Sequence, residues 1–278
     1  MTLYTIETGF FKLDGGAMFG VVPKSLWQKL NPPDENNLCT WAMRCLLVED
    51  NNRLILIDNG IGEKQDAKFL SYYYLHGDDS LIKSLGKAGF SPNDVTDMFL
   101  THLHFDHCGG GVRRDHDQLV LTFPNATYWT NPEHWQWAIQ PNPREKASFL
   151  KENIMPIQES GQLRMAYDGQ PSPIPNLDIL YVSGHTEKMM LPLIPYKGHT
   201  ICYMADLIPS VGHIPVPYVM GYDTRPLLTM EEKDKILKIA ADQGYVLFFE
   251  HDPVHECCTV KHTDKGVRVD RTFRLADL

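Results

Sequence analysis

The sequence predicts an α/β fold, a four-layer αββα sandwich, on three observations. Apolar, β-branched-rich runs come in two batches, one ending near Thr130 and one beginning near Ile179. Each batch closes with helical stretches, as two face-to-face sheets with helices outside require. No repeat, low-complexity tract or long linker separates the batches, so residues 1–278 read as one domain.

The elements follow in order. "TWAMRCLLVE" and "RLILIDNG" are strands joined by the turn "DNN", a hairpin signal. "DDSLIKSLGKAG" predicts a helix with Asp78 or Asp79 as N-cap and Gly89 as its stop. "DVTDMFLTH" reads as a buried strand and "ATYWT" as a short one. "NPEHWQWAI" is a helix with Asn131 at the N-cap and Pro132 at the first helical position. A further helix is expected over residues 143–154, and the proline-rich "DGQPSPIPNLD" is a loop. Strands follow at "ILYVSG", "MMLPLIP" and "HTICYMAD", then a helix at "TMEEKDKILKIAADQG" capped by Thr229, and a strand at "YVLFFEHD".

Composition narrows the partners. Lys+Arg 26 against Asp+Glu 35 leaves a net charge of −9, which argues against nucleic acid, since broad phosphate binding needs a basic surface. No apolar run approaches a bilayer-spanning length, so no membrane association is expected. The start has no basic region followed by an apolar stretch, which makes a cytoplasmic location the expectation. The six cysteines show neither a CxxC pair nor framework spacing and read as free thiols.

One stretch demands chemistry. "LTHLHFDHCGG" packs three histidines and an aspartate into the six positions 102–107. His102 and His104, two apart at a strand end, project to one side of an extended chain. Asp106 and His107 follow on a turn that Gly109, Gly110 and Gly111 make sterically easy. Further ligand types stand where later strands leave the core: His185 after "ILYVSG", Asp206 at the end of "HTICYMAD", His251 after "YVLFFE". Imidazole nitrogen and carboxylate oxygen are zinc-type ligands, and strand ends hold such groups rigidly. His116, His134 and His199 read as surface or core residues, and His213 and His255 as residues that could line a pocket.

These residues resemble the metallo-β-lactamase superfamily. The HxHxDH motif is complete in His102, His104, Asp106 and His107, and the hairpin ending in "IDNG" resembles the family's Asp-x-Gly turn. The separations of 78 residues from His107 to His185, 21 to Asp206 and 45 to His251 resemble those of its dinuclear lactonases. The resemblance implies two divalent ions, zinc before iron or manganese. It places His102, His104 and His185 on one, Asp106, His107 and His251 on the other, with Asp206 bridging. It also implies that Asp58 orients a ligand histidine; an ordinary turn residue is the alternative.

Two adjacent cations would acidify a bound water, and the hydroxide would attack an ester or lactone carbonyl, with Asp106 accepting or relaying a proton. The expected substrate is a small, partly apolar molecule. Asp206 stands where common dinuclear β-lactamases carry cysteine, which disfavours antibiotic hydrolysis. Phosphoester, phosphotriester or thioester hydrolysis on the same site is the alternative, as is a metal-dependent small-molecule binding protein without turnover. Pro209 occupies the position of the tyrosine that assists the carbonyl oxygen in acyl homoserine lactonases, leaving Tyr218, Tyr222 or His213 as substitutes. Glu187 and Lys188 replace a usual Pro-Gly pair. Phe105, Met18 and Phe19 are candidate pocket residues, with core packing the alternative for the last two; Tyr128, Trp129, Trp135 and Trp137 read as helix-sheet packing. Lactonase-like relatives often dimerise, so the resemblance carries a homodimer as an option.

Overall fold

The computed structural model describes residues 1–278. Two units emerge, Met1–Gly9 with Met43–Pro173, and Phe10–Ala42 with Ile174–Leu278.

A six-stranded mixed sheet runs in the order Thr2–Asp14, Leu38–Asp50, Arg53–Ile57, Asp97–Phe99, Thr127–Thr130, Leu163–Met165; the first unit holds it except for residues 10–14 and 38–42. The expected hairpin is present: Leu46 pairs with Ile57 and Asp50 with Arg53, antiparallel, across a turn in which Asn51 takes a left-handed φ of 54°. From Arg53 onward the pairs are parallel, with Ile57, Phe99 and Trp129 in register. Parallel strands are buried on both faces and need continuous apolar runs, which "RLILI" and "DMF" supply. The unit's core gathers Ile6, Leu47, Leu56, Met98, Leu100, Phe123 and Tyr128, all buried, against the helices Leu81–Lys87, Pro132–Ile139 and Lys151–Glu159.

The second unit has its own six-stranded sheet, in the order Gly266–Phe273, Cys257–Thr263, Val246–Phe248, His199–Tyr203, Met189–Tyr196, Asp178–Val182. Every pair is antiparallel except His199–Tyr203 with Val246–Phe248, which run parallel. Its longest helix, Pro226–Gln243, ends at Gly244 in the left-handed conformation that glycine adopts without penalty.

Several boundaries differ from the sequence reading. Ser80, not Asp78 or Asp79, caps the helix Leu81–Lys87, its hydroxyl accepting the Lys83 N–H, while Asp79 pairs with Lys87. The buried strand is only Asp97–Phe99. Residues 143–150 form turns rather than helix: the Asn142 side chain accepts the Arg144 and Glu145 N–H groups, and the helix begins at Lys151. Thr229 lies inside a helix that starts earlier, at Pro226, a residue preorganised for a first turn. The hairpin Cys257–Phe273 was not foreseen; its alternation is interrupted by an irregularity at Thr259/Val260. No helix is long and apolar enough to cross a membrane. All six cysteines are free and buried.

Candidate functional site

In the first unit, three parallel strands end level, and polar residues follow each end: Asp58, then Thr101 with His102, then Asn131. The carboxyl ends of parallel strands are where open α/β sheets place their ligands. Asp58 is fully buried and adopts a left-handed φ of 56°, a strained state for a residue with a Cβ. Its carboxylate returns that cost. Oδ1 accepts the Thr101 N–H at 2.8 Å, and Oδ2 accepts the Thr101 hydroxyl at 2.6 Å and His107 Nδ1–H at 3.1 Å. With its proton given to Asp58, the Thr101 oxygen accepts from His102 Nδ1 at 3.1 Å. Both histidines therefore carry their proton on Nδ1 and keep a lone pair on Nε2.

His104 is arranged the other way. Its Nε2 faces Glu145 Oε1 at 3.4 Å, which leaves Nδ1 as the ligating nitrogen. Glu145 is buried and held by Trp137 Nε1–H at 2.7 Å and by the Asn142 amide. Between His102 and His104, the Leu103 N–H donates to Nε2 of buried His134 at 2.8 Å, and Asn131 accepts the His134 backbone N–H. The ring centroids of His102 lie 3.9 Å from His107 and 4.6 Å from His104, and Asp106 Oδ2 stands 3.8 Å from His107 Nε2. Glycine is required after the motif for close approach rather than for an unusual turn. A Cβ on Gly109 would sit 2.1 Å from the Ile61 carbonyl, and one on Gly110 2.2 Å from that of Asn59.

The second unit presents three groups from three strand ends. His199–Tyr203 and Val246–Phe248 are parallel and in register at Tyr203 and Phe248, so Asp206 and His251 leave the sheet at the same edge. Asp206 Oδ2 lies 3.1 Å from His185 Nε2, and its Oδ1 lies 3.1 Å from His251 Nε2. The far side of each ring is committed: His185 Nδ1 to Asp223 Oδ1 at 3.0 Å, His251 Nδ1 to the Ala42 carbonyl at 2.8 Å. A carbonyl only accepts, so His251 has its proton on Nδ1 and turns a lone pair toward a carboxylate oxygen.

That geometry tests the fit of a metal. Two imidazole lone pairs facing two carboxylate oxygens repel unless positive charge lies with them, and a cation on this donor set supplies it. His185 reports the same demand. Burial alone would push its pKa down, but Asp206 and Asp223 drive it up to about 10, so without a metal a proton takes the cation's place. The turn carrying His185 is clamped from the helix Pro226–Gln243. Glu232 accepts the Ser183 and Gly184 N–H groups at 2.7 and 2.9 Å, and a Cβ on Gly184 would meet Thr229 at 2.4 Å.

The remaining candidates are placed as follows. Phe105 is buried and packs its ring on Phe69 and Tyr73. Met18 and Phe19 lie in the core of the second unit, where Phe19 stacks on Trp27 and, at 4.3 Å, on His213. His213 is wholly buried with both nitrogens used, Nε2 on the Met18 carbonyl and Nδ1 on the Ser210 hydroxyl. Burial drives its pKa down to about 3, so it is a neutral core histidine. Tyr218 packs edge-on against Phe19, and Tyr222 is exposed. Pro209 contributes its carbonyl, which accepts the His251 N–H at 3.2 Å. Glu187 pairs with Arg225, and Lys188 takes a left-handed φ of 49°. His116 and His199 are exposed, and Cys108 is buried with its thiol on the Leu103 carbonyl. The sequence reading missed Glu145, Asp223 and Glu232, while His134, read as a surface or core residue, is fully buried. Only Asp223 left a trace, as the one acidic residue in the apolar run "IPVPYVMGYD".

Two mixed sheets with histidines and carboxylates oriented at their strand ends define a metal-ligating α/β protein. The Metallo-beta-lactamase superfamily pattern matches residues 44–251, and the chain belongs to that family. An N-acyl homoserine lactonase of Bacillus cereus is 25% identical over 194 residues, 66% of this chain and 66% of the relative, just under two thirds of either. Among solved structures, a probable metal-dependent hydrolase from Staphylococcus aureus is 28% identical with a TM-score of 0.88, covering 98% of this chain and 96% of that one. AidC, a dizinc quorum-quenching lactonase in complex with a product, is 25% identical with a TM-score of 0.80, covering 98% and 95%.

Proposed function

We propose that the protein is a dinuclear metal-dependent hydrolase acting on the ester or lactone bond of a small, partly apolar molecule. The observation that carries this reading is Asp206, whose two oxygens each face the Nε2 of a different, rigidly oriented histidine. In this reading His102, His104, His185 and Asp206 would hold one ion, and Asp106, His107 and His251 would hold the other. Membership of the family and the dizinc neighbour support the pair of ions, with zinc the first candidate.

Bound there, the ions would supply an acidified water and an electrophilic contact for the substrate's carbonyl oxygen. The chain's own residues do the rest. Asp58 fixes the tautomers of His102 and His107, and Asp223 and the Ala42 carbonyl fix the rings of His185 and His251. Asp106 holds or passes the proton released in the reaction. The buried aromatic Phe105, beside Asp106, gives the substrate's apolar part a dry wall.

Two measurements test this together. Elemental analysis of the purified protein should give close to two metals per chain. A panel of lactones, aryl esters, thioesters and phosphotriesters should show turnover that chelation abolishes and zinc restores. Preference for lactone or aryl ester fits the reading; preference for thioester or phosphotriester moves the substrate class. Turnover that survives complete metal removal refutes it.

A further inference from the structure

The strands His199–Tyr203 and Val246–Phe248 run parallel, and their pairing continues past the sheet into the turns that carry Asp206 and His251. Met204 donates its N–H to the Phe248 carbonyl at 3.0 Å, and His251 donates its N–H to the Pro209 carbonyl at 3.2 Å. In a parallel ladder the next rung would run from the Val211 N–H to the His251 carbonyl. That carbonyl accepts the Ala42 N–H at 3.1 Å instead. A side chain supplies the missing rung: Val211 N–H donates to Oδ2 of Asp252 at 2.9 Å.

The other oxygen of Asp252 closes its own turn. Oδ1 accepts the Val254 and His255 N–H groups at 2.8 and 2.7 Å. Asp252 is buried, as are Leu207, Ile208 and Ser210 on the neighbouring turn, so the tie lies in a dry setting where a bond to a carboxylate is strong. It acts on the backbones that bear the ligand candidates rather than on their side chains. Across it, Asp206 Oδ1 faces His251 Nε2 at 3.1 Å. The turn of His185 is held separately, by Glu232.

We infer that Asp252 is a positioning residue, one that sets the spacing of Asp206 and His251 by tying their two turns together. This rests on the dinuclear reading above, in which Asp206 and His251 belong to different ions. A slack tie would then disturb both ions together and alter the distance between them.

Two variants break the same bond from opposite ends. Asp252→Asn keeps an Oδ1 acceptor for the turn at Val254 and His255, where asparagine serves as aspartate does, but turns an NH2 group toward Val211. Val211→Pro removes the donor at the first residue of the short helix Val211–His213, and Ser210 before it is already extended, with ψ of 167°. Each variant of the full chain should bind both equivalents of Mn²⁺ about tenfold more weakly in chelator competition. The double variant should lose little more than either single one, because both remove one bond. At saturating Mn²⁺, the exchange coupling seen by electron paramagnetic resonance should differ from that of wild type, which a loss of overall stability would not produce. Should Val211→Pro fail to fold, Asp252→Asn decides alone. Wild-type affinity and coupling in Asp252→Asn, or losses that add in the double variant, overturn the role of Asp252. A wild-type chain that binds fewer than two Mn²⁺ overturns the dinuclear reading instead.

Discussion

The two units orient their candidate ligands by different means. In the first, one carboxylate serves two histidines: Asp58 accepts the His107 Nδ1–H directly, and it accepts the Thr101 hydroxyl, whose oxygen accepts the His102 Nδ1–H. The ligands are contiguous in sequence and cross-braced in space. In the second, His185, Asp206 and His251 leave three separate strands, and each histidine has its own acceptor, Asp223 for one and the Ala42 carbonyl for the other. A shared brace should make the first set fail as a unit, and separate braces should let the second fail piecewise.

Asp58→Asn gives the largest expected effect. The amide cannot accept all three of the hydrogen bonds that Asp58 receives, and its NH2 group confronts donors instead. Both His102 and His107 lose their fixed tautomer, so affinity for both ions should fall by about a hundredfold, and metal-free stability by roughly 3 kcal/mol. Chelator competition and thermal melting read the two quantities. Two metals retained at wild-type affinity would show that the cross-brace does not orient the histidines.

Asp223→Asn sharpens the comparison from the other side. Among the metal-ligand candidates it holds His185, whose Nδ1 lies 3.0 Å from its Oδ1, and its Oδ2 accepts the Met220 N–H at 3.2 Å. One equivalent of metal should weaken by about tenfold while the other keeps its affinity. Stepwise metal release against a graded chelator would show this as an early first equivalent followed by a normal second. Parallel loss of both equivalents would mean that the second set is as interdependent as the first.

The same contrast explains what the sequence revealed. The ligand candidates were legible because each follows an apolar run directly, and "HLHFDH" crowds four of them into one turn. Their braces were not. Glu145 is 41 residues from His104, Asp223 is 38 from His185, and Glu232 is 49 from Ser183. Nothing local distinguishes Glu145 in "NPREK" from a solvated charge. The two-sheet architecture was legible from strand batches, but caps were not, because competing polar residues sit side by side. Ser80 takes the cap, immediately before the helix, and Asp79 pairs with Lys87. For Phe19 the sequence left pocket and core open, and His213 was a pocket candidate; they stack on each other in a core where both imidazole nitrogens are engaged.

Buried lysines give the comparison a last and smaller test. Each unit has one: Lys64 donates to the Gly109 carbonyl, and Lys233 donates to the carbonyls of Pro215, Val216 and Tyr218 at 3.2, 3.4 and 2.7 Å. Lys233 thereby ties down the chain that leads into Asp223. Burial pushes its ammonium down from the ordinary 10.5 to about 7, with Asp223 opposing the shift. The folded state thus binds this proton less tightly than the unfolded chain. Its contribution to stability grows as pH rises from about 7 toward 10.5 and shrinks as pH falls through about 7. Lys233→Met removes both the donors and the buried charge, which offset each other near neutrality, so the loss at pH 7 should be about 1 kcal/mol. Between pH 7 and 9 wild type should pull further ahead by on the order of 1–2 kcal/mol. Denaturant midpoints of both proteins across that range measure the gap, and a gap that stays flat would mean that Lys233 keeps its proton with ordinary affinity inside the fold. If instead the gap widens as expected, the loop leading to Asp223 is held by a cation near its own titration point. The hold on the segment leading into Asp223 would then depend on pH.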